Sequence, residues 1–216
     1  MTRIITGPAR AHKKLLLLSA MLCCLSGFAR AQEKPADGHD MHKHAEIAAK
    51  APAGPAGKLT IPDVEVTDQD GKPVKFYTDL VKGKKVMISF VFTSCRLACP
   101  MVGRNFQKLQ EEIGDGLGKD VSLISVTTDP AVDNPQVFKK WGERFGRRDG
   151  WTLVTGEEAK INRLLLLLTG STRQREGEHI SLVILYDGVS GASENNSSLM
   201  TPAILIDALS KVGKKP

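Results

Sequence analysis

The sequence predicts one α/β domain: a central mixed sheet with helices on both faces and an N-terminal β-hairpin added to it. Three observations carry this. The run Val86-Met-Ile-Ser-Phe-Val-Phe92 is nearly continuous apolar, as a strand buried on both faces requires. Stretches with apolar residues at helical spacing alternate with such strands, which points to crossovers and a parallel or mixed sheet. The 216 residues, 41% apolar, 25% charged and 5% aromatic, suit one core-forming domain plus tails and exclude a multi-pass membrane protein, a fibre or a wholly disordered chain.

Residues 1–31 have the three parts of a cleavable export signal: a basic stretch ending at Lys13-Lys14, an apolar run from Leu15 and the small-residue site Ala29-Arg30-Ala31. The rival is an uncleaved membrane anchor, but Leu15 to Ala29 is short of the ~18 to 20 apolar residues a span needs. Cys23 and Cys24 lack a small residue before them and read as apolar filler that leaves with the signal. Residues 32–59 are rich in Ala, Pro, Gly, Lys and His and read as a flexible tether, in which Ala51 to Gly57 is expected to hold neither a helix nor a ladder.

The folded domain is expected over 60–216. Pro62 to Val66 and Val74 to Tyr77 form the hairpin around a turn at Asp70-Gly71, and Lys85 to Phe92 is the central strand. Proline favours a helix start at Cys99-Pro100; Val102, Phe106, Leu109 and Ile113 lie on one face, and Gly114 stops it. Val121 to Thr127 is a strand, and Asn134-Pro135 opens a helix with Phe138, Trp141 and Phe145 inward. After the strand Trp151 to Val154, Thr155 and Glu158 read as a capping box for a helix with five core leucines ending at Gly170. Ser181 to Tyr186 is a strand, and Thr201-Pro202 opens a last helix with Ile204, Leu205 and Leu209 inward. Beyond Gly191 the polar stretch Ser193 to Ser198 leaves any closing strand weak or missing.

Five of the six net positive charges reside in the leader, which holds five of the 30 Lys+Arg and none of the 24 Asp+Glu. Without it the balance is 25 against 24, or +1, too little for a phosphate-neutralising stripe, so nucleic-acid binding is excluded.

Two cysteines then remain, Cys95 and Cys99, between a buried strand and a helix N-terminus, where unpaired N–H groups and the helix dipole favour thiolates. A disulfide closing so small a loop contributes little stability, so the pair reads as reactive or metal-binding. Three intervening residues, one more than in common exchange motifs, suit a metal held between two soft thiolates, either Cu(I) or zinc. An imidazole is a fitting third ligand, and the domain's one histidine is His179, in a polar loop before an apolar strand. A loop histidine taken alone is more often a solvated bystander. Asp129, before Pro130, reads as turn chemistry, and the tether's His39-Asp-Met41-His42-Lys-His44 as a solvated linker with copper-capable side chains.

These residues resemble the Sco/SenC copper proteins. Phe90-Val-Phe-Thr-Ser-Cys95-Arg-Leu-Ala-Cys99-Pro100 looks like that family's Phe-Thr-x-Cys-Pro-x-x-Cys-Pro signature. Ser125-Val-Thr-Thr-Asp-Pro130 with Asp133-Asn-Pro135, and His179 before a strand ending at Asp187-Gly188, are similar to its other two motifs. The resemblance implies a thioredoxin-like fold, Cys95, Cys99 and His179 as ligands to copper, Cu(I) or Cu(II), and delivery to the CuA centre of cytochrome c oxidase. The export signal implies a periplasmic or other extracytoplasmic location, where a thiol reductant is expected as a further partner. Arg96 departs from the family's proline, placing a cation beside the sulfurs. On this reading the protein is a copper-binding chaperone rather than an enzyme. The alternatives are a thiol–disulfide reductase acting on an acceptor's cysteines and, third, a peroxidase.

Overall fold

The sheet is built outward from Lys85–Val91 (β4), whose side chains are buried from Val86 onward. Its alternate residues serve different layers: Met87 and Val91 join one apolar cluster, Val86, Ile88 and Phe90 the other. The computed structural model describes residues 54–170 and 181–214. Among them are eight strands in one sheet, ordered β1-β8-β7-β4-β5-β6-β2-β3. The remaining strands are Gly54–Lys58 (β1), Glu65–Asp68 (β2), Pro73–Lys75 (β3), Val121–Thr127 (β5), Trp151–Thr155 (β6), Leu182–Asp187 (β7) and Ala192–Ser197 (β8). β4, β5 and β6 are parallel neighbours, and β7 lies antiparallel to β4 with Ser89 opposite Val183.

Among the described residues four helices cover the sheet: Ala98–Ile113 (α1), Pro135–Glu143 (α2), Glu158–Thr169 (α3) and Pro202–Lys211 (α4). Val102, Phe106, Leu109, Phe138, Trp141, Leu205 and Leu209 join the cluster that contains Met87, on one face. Ile161, Leu164, Leu165 and Leu168 of α3 pack on the other, with Val66, Val74 and the π-helical turn Phe76–Val81. Each fully buried apolar side chain of this kind stabilises the fold by roughly 1.5–3 kcal/mol. Helix ends follow the local chemistry. Asn134 caps α2, its Oδ1 accepting from Val137 N at 3.0 Å, and the positive-φ Gly114 and Gly170 end α1 and α3.

Several expectations are corrected. The Pro/Gly stretch does support a ladder: β1 pairs antiparallel with β8, which proline tolerates at a sheet edge, with a register break between Gly54 and Gly57. The closing strand is present despite its polar side chains, because β8 is hydrogen-bonded on both sides, to β1 and β7. Thr155 is no cap. It is the last residue of β6, opposite Thr67 of β2, and α3 starts after Glu157 without a side-chain cap. Leu166 and Leu167 are exposed, so three of the five leucines are core. Ile204 is likewise exposed, since Leu205 and Leu209 define the inward line of α4. The first hairpin strand is Glu65–Asp68 rather than Pro62 to Val66. The helices begin and end close to their expected residues. Among the described residues no helix is long and apolar enough to cross a membrane.

Candidate metal centre

β4 delivers its chain to the carboxyl end of the central strands, where Thr128 N donates to Val91 O at 2.9 Å and Cys95 N to Phe92 O at 3.2 Å. The turn lets the chain enter α1 at Ala98, with Pro100 in a first turn that needs no amide donor from it. The four-residue spacing then places the first sulfur over the helix start: Cys99 N donates to Cys95 Sγ at 3.4 Å, satisfying one otherwise orphaned N–H. Both cysteines are buried, 7% and 5% exposed, and no disulfide joins them.

Burial reverses the expected ionisation of the second thiol. Desolvation pushes Cys99 up to about 12, and the hydrogen bond and charge of Cys95, with the more distant Asp133 carboxylate, act in the same direction. A backbone hydrogen bond from Phe92 opposes them without prevailing. The correction is physical: a helix N-terminus favours a thiolate in partly wet surroundings, and Cys99 sits in the core against Val91, Val102 and Phe106. A metal ion that binds Cys99 must displace its proton.

The motif loop is held by a residue that the sequence motif contained but to which sequence reasoning gave no role. Asp133 is fully buried, and its carboxylate accepts from Thr93 N at 3.1 and 3.2 Å, from Thr93 Oγ1 at 2.5 Å and from Thr127 Oγ1 at 2.6 Å. It joins the loop carrying Cys95 to the end of β5. Burial raises its pKa, against the lowering effect of the Thr127 and Thr93 hydrogen bonds. The available signal was an aspartate directly before an Asn-Pro helix start, with threonines at the ends of two neighbouring strands. Asp129 does serve the turn: its carbonyl accepts from Val132 N and Asp133 N, and its own N donates to Thr127 Oγ1.

Of the expected ligands, the structure brings Cys95 and Cys99 together. His179 and the tether residues His39 to His44 lie outside the described residues. β7, antiparallel to β4, begins at the end of the sheet where β4 ends, and Ser198 N donates to Ser181 O there. Among the described residues no three His, Cys, Asp or Glu side chains form a metal-holding group. Arg96 is exposed.

The sequence model of the SCO1/SenC family matches residues 53–211. The chain belongs to the SCO1/SenC family. A protein described as copper-binding from Stutzerimonas stutzeri is 31% identical over 104 residues, 48% of this chain and 49% of that one. An SCO2-like protein of Rickettsia felis is 28% identical over 154 residues, 69% and 65% of the two chains. The chain thus spans less than two thirds of the length of these two relatives. Among solved structures, a SCO1/SenC family lipoprotein from Bacillus anthracis superposes with a TM-score of 0.62 at 24% identity, covering 74% of this chain and 98% of that one. ScoI of Bradyrhizobium japonicum, solved with copper bound, gives 0.55 at 24%, covering 68% and 96%. The fold is therefore the thioredoxin-like one of the SCO1/SenC family.

Proposed function

We propose that the protein is an exported copper chaperone that holds Cu(I) between the Cys95 and Cys99 sulfurs, with His179 as third ligand, and delivers it to the CuA centre of cytochrome c oxidase. The observation that carries this reading is the buried, adjacent sulfur pair at the junction of β4 and α1 in a chain of the SCO1/SenC family. Two soft thiolates in an apolar pocket match Cu(I), and both sulfurs bind it as thiolates, so uptake releases the Cys99 proton. Three-coordination leaves room for an acceptor's ligand to enter before the donor's ligands leave. The names of the relatives, copper-binding or solved with copper, support the cargo. The leader-like residues 1–31 support an extracytoplasmic location.

The rival reading is a thiol–disulfide reductase. A thiol raised to about 12 is a poor nucleophile at neutral pH, and two buried sulfurs offer an incoming disulfide little access. The deciding experiment titrates the reduced protein anaerobically with Cu(I) and measures metal retained after desalting. One copper per chain, lost in Cys95→Ser or Cys99→Ser and weakened in His179→Ala, is expected. Full retention in both cysteine variants would remove the site. A His179→Ala variant that lost disulfide reduction as steeply as copper transfer would favour the reductase.

A further inference from the structure

We propose that the outward stripe of α1 beside the dithiol is the docking surface for the protein that exchanges ligands with these sulfurs, and that this partner presents an acidic face. The inference rests on the reading that Cys95 and Cys99 hand something to a protein acceptor, and it adds what that acceptor looks like. Leu97, Met101, Arg104 and Lys108 follow one another at spacings of four, three and four, so they form one line along the helix. The opposite line, Cys99, Val102, Phe106 and Leu109, is buried in the core.

The stripe is apolar where it meets the motif and cationic beyond. Leu97 is 70% exposed and Met101 40% exposed, while Arg104 and Lys108 are both exposed. Arg96, also exposed, extends the positive character into the motif loop. Among the described residues none of these three cations has an ion-pair partner. Glu111 and Glu112 lie in the last turn of α1, away from the sulfurs. On the neighbouring loop, held to the motif loop by Asp133, Val132 is 50% exposed. The carboxylates of that loop are Asp133, fully buried, and Asp129, partly buried.

Arg96 and Leu97 stand between the cysteines in the chain and both are exposed, so the stripe begins inside the motif itself. Exposed leucine and methionine with cations before and after them along the chain match the composition of interface centres, in which Met and Arg are enriched. Unpartnered positive charge selects an acidic complement and speeds its approach, by factors of about 10 to 1,000 at low salt. A lipid surface shares the charge but has no soft ligand with which to take a thiolate-bound metal, which favours a protein.

The test uses the full chain, reduced, and two synthetic peptides that share one Cys-x-x-x-Cys pair and differ in flanking residues, glutamates in one and lysines in the other. In the metal-free arm each peptide is supplied as its disulfide. Exchange at buried sulfurs is slow, so only the ratio of the two peptides' rates is read: a thiolate of the protein attacks one peptide sulfur, the mixed disulfide forms, and the second peptide sulfur leaves as thiolate. In the second arm the peptides are reduced and Cu(I) transfer from the loaded protein is timed. In both arms the acidic peptide should react about tenfold or more faster at low salt, with the gap closing near ~0.5 M salt. The double variant Arg104→Glu/Lys108→Glu should abolish or invert the preference. Equal rates for the two peptides at low salt, or an undiminished preference in the double variant, would overturn the proposal. If the chain takes up no copper, the chaperone reading falls while the metal-free arm still decides the docking surface. If copper uptake is normal and the peptides react alike, the docking surface falls alone. Sedimentation with phosphatidylglycerol vesicles covers the lipid outcome: a double variant that lost vesicle binding but kept its peptide rates would make the stripe a membrane contact and overturn the proposal.

Discussion

Replacing Asp133 by alanine tests whether its carboxylate holds the dithiol loop. The change removes the acceptor for Thr93 N, Thr93 Oγ1 and Thr127 Oγ1. Thr127 is fully buried, so its hydroxyl loses the partner with no water to replace it, at about 1–3 kcal/mol for an orphaned buried donor. Thr93 is partly exposed, and its two donors recover some solvation. Removing a carboxylate that burial disfavours returns part of the loss. The balance is a destabilisation of about 2–4 kcal/mol, which lowers the melting temperature by roughly 4–16 °C in a domain of this size. Asp133→Asn, which keeps one acceptor oxygen, should lose about half as much. Urea unfolding followed by tryptophan fluorescence measures the stability, and thiol titration under native conditions measures the loop. An Asp133→Ala protein within ~0.5 kcal/mol of wild type, with thiols no more reactive, would refute the clamp. The pH dependence has a definite sign. With its folded pKa raised above 3.8, Asp133 holds a proton that the unfolded chain releases, so its contribution is full below 3.8 and declines as pH rises through the raised value. The stability advantage of wild type over Asp133→Asn should shrink across that window, and an advantage that grew would contradict the assignment.

Three further outcomes follow from the packing and the thiols. Gly103→Ala would put a Cβ 2.5–2.7 Å from the Phe145 ring and should cost about 1–3 kcal/mol by denaturant unfolding, partly recovered by Phe145→Leu. In native protein at pH 8, iodoacetamide should leave Cys99 unmodified, whereas unfolding should expose it to full labelling; peptide mass mapping decides, and rapid native labelling would contradict a thiol held near about 12. Ser125→Ala removes the acceptor of Trp151 Nε1, 3.0 Å away, and should destabilise by about 1–2 kcal/mol, read by thermal unfolding.

What was legible in the sequence was whatever side chains specify locally. β5 appears at its expected bounds, Asn134 caps the helix that Pro135 opens, and Gly114 ends α1. Cys95 and Cys99 meet because a four-residue spacing across a helix start permits little else. The missed features depend on partners remote in sequence. β8 is a polar strand made by the ladders of β1 and β7, and no side-chain pattern announces it. Thr155 was claimed by β2 before it could cap α3. Asp133 is intelligible only once Thr93 and Thr127, from two other segments, surround it. The protonation of Cys99 turned on how deeply α1 sinks its first turn, which the motif itself does not encode.

The sulfur pair shares its apolar cluster with Trp141 and Trp151, the chain's two tryptophans, while the cluster on the other side of the sheet contains neither. Phe106 of the sulfur-bearing helix lies 5.5 Å from the Trp151 ring, and the two indoles are 6.1 Å apart, edge to face. Optically, then, the molecule is labelled on one side. Oxidation, ligation or displacement at the sulfurs is an event in the layer that emits, so the occupancy of the site can be followed in native protein by intrinsic fluorescence with no dye attached.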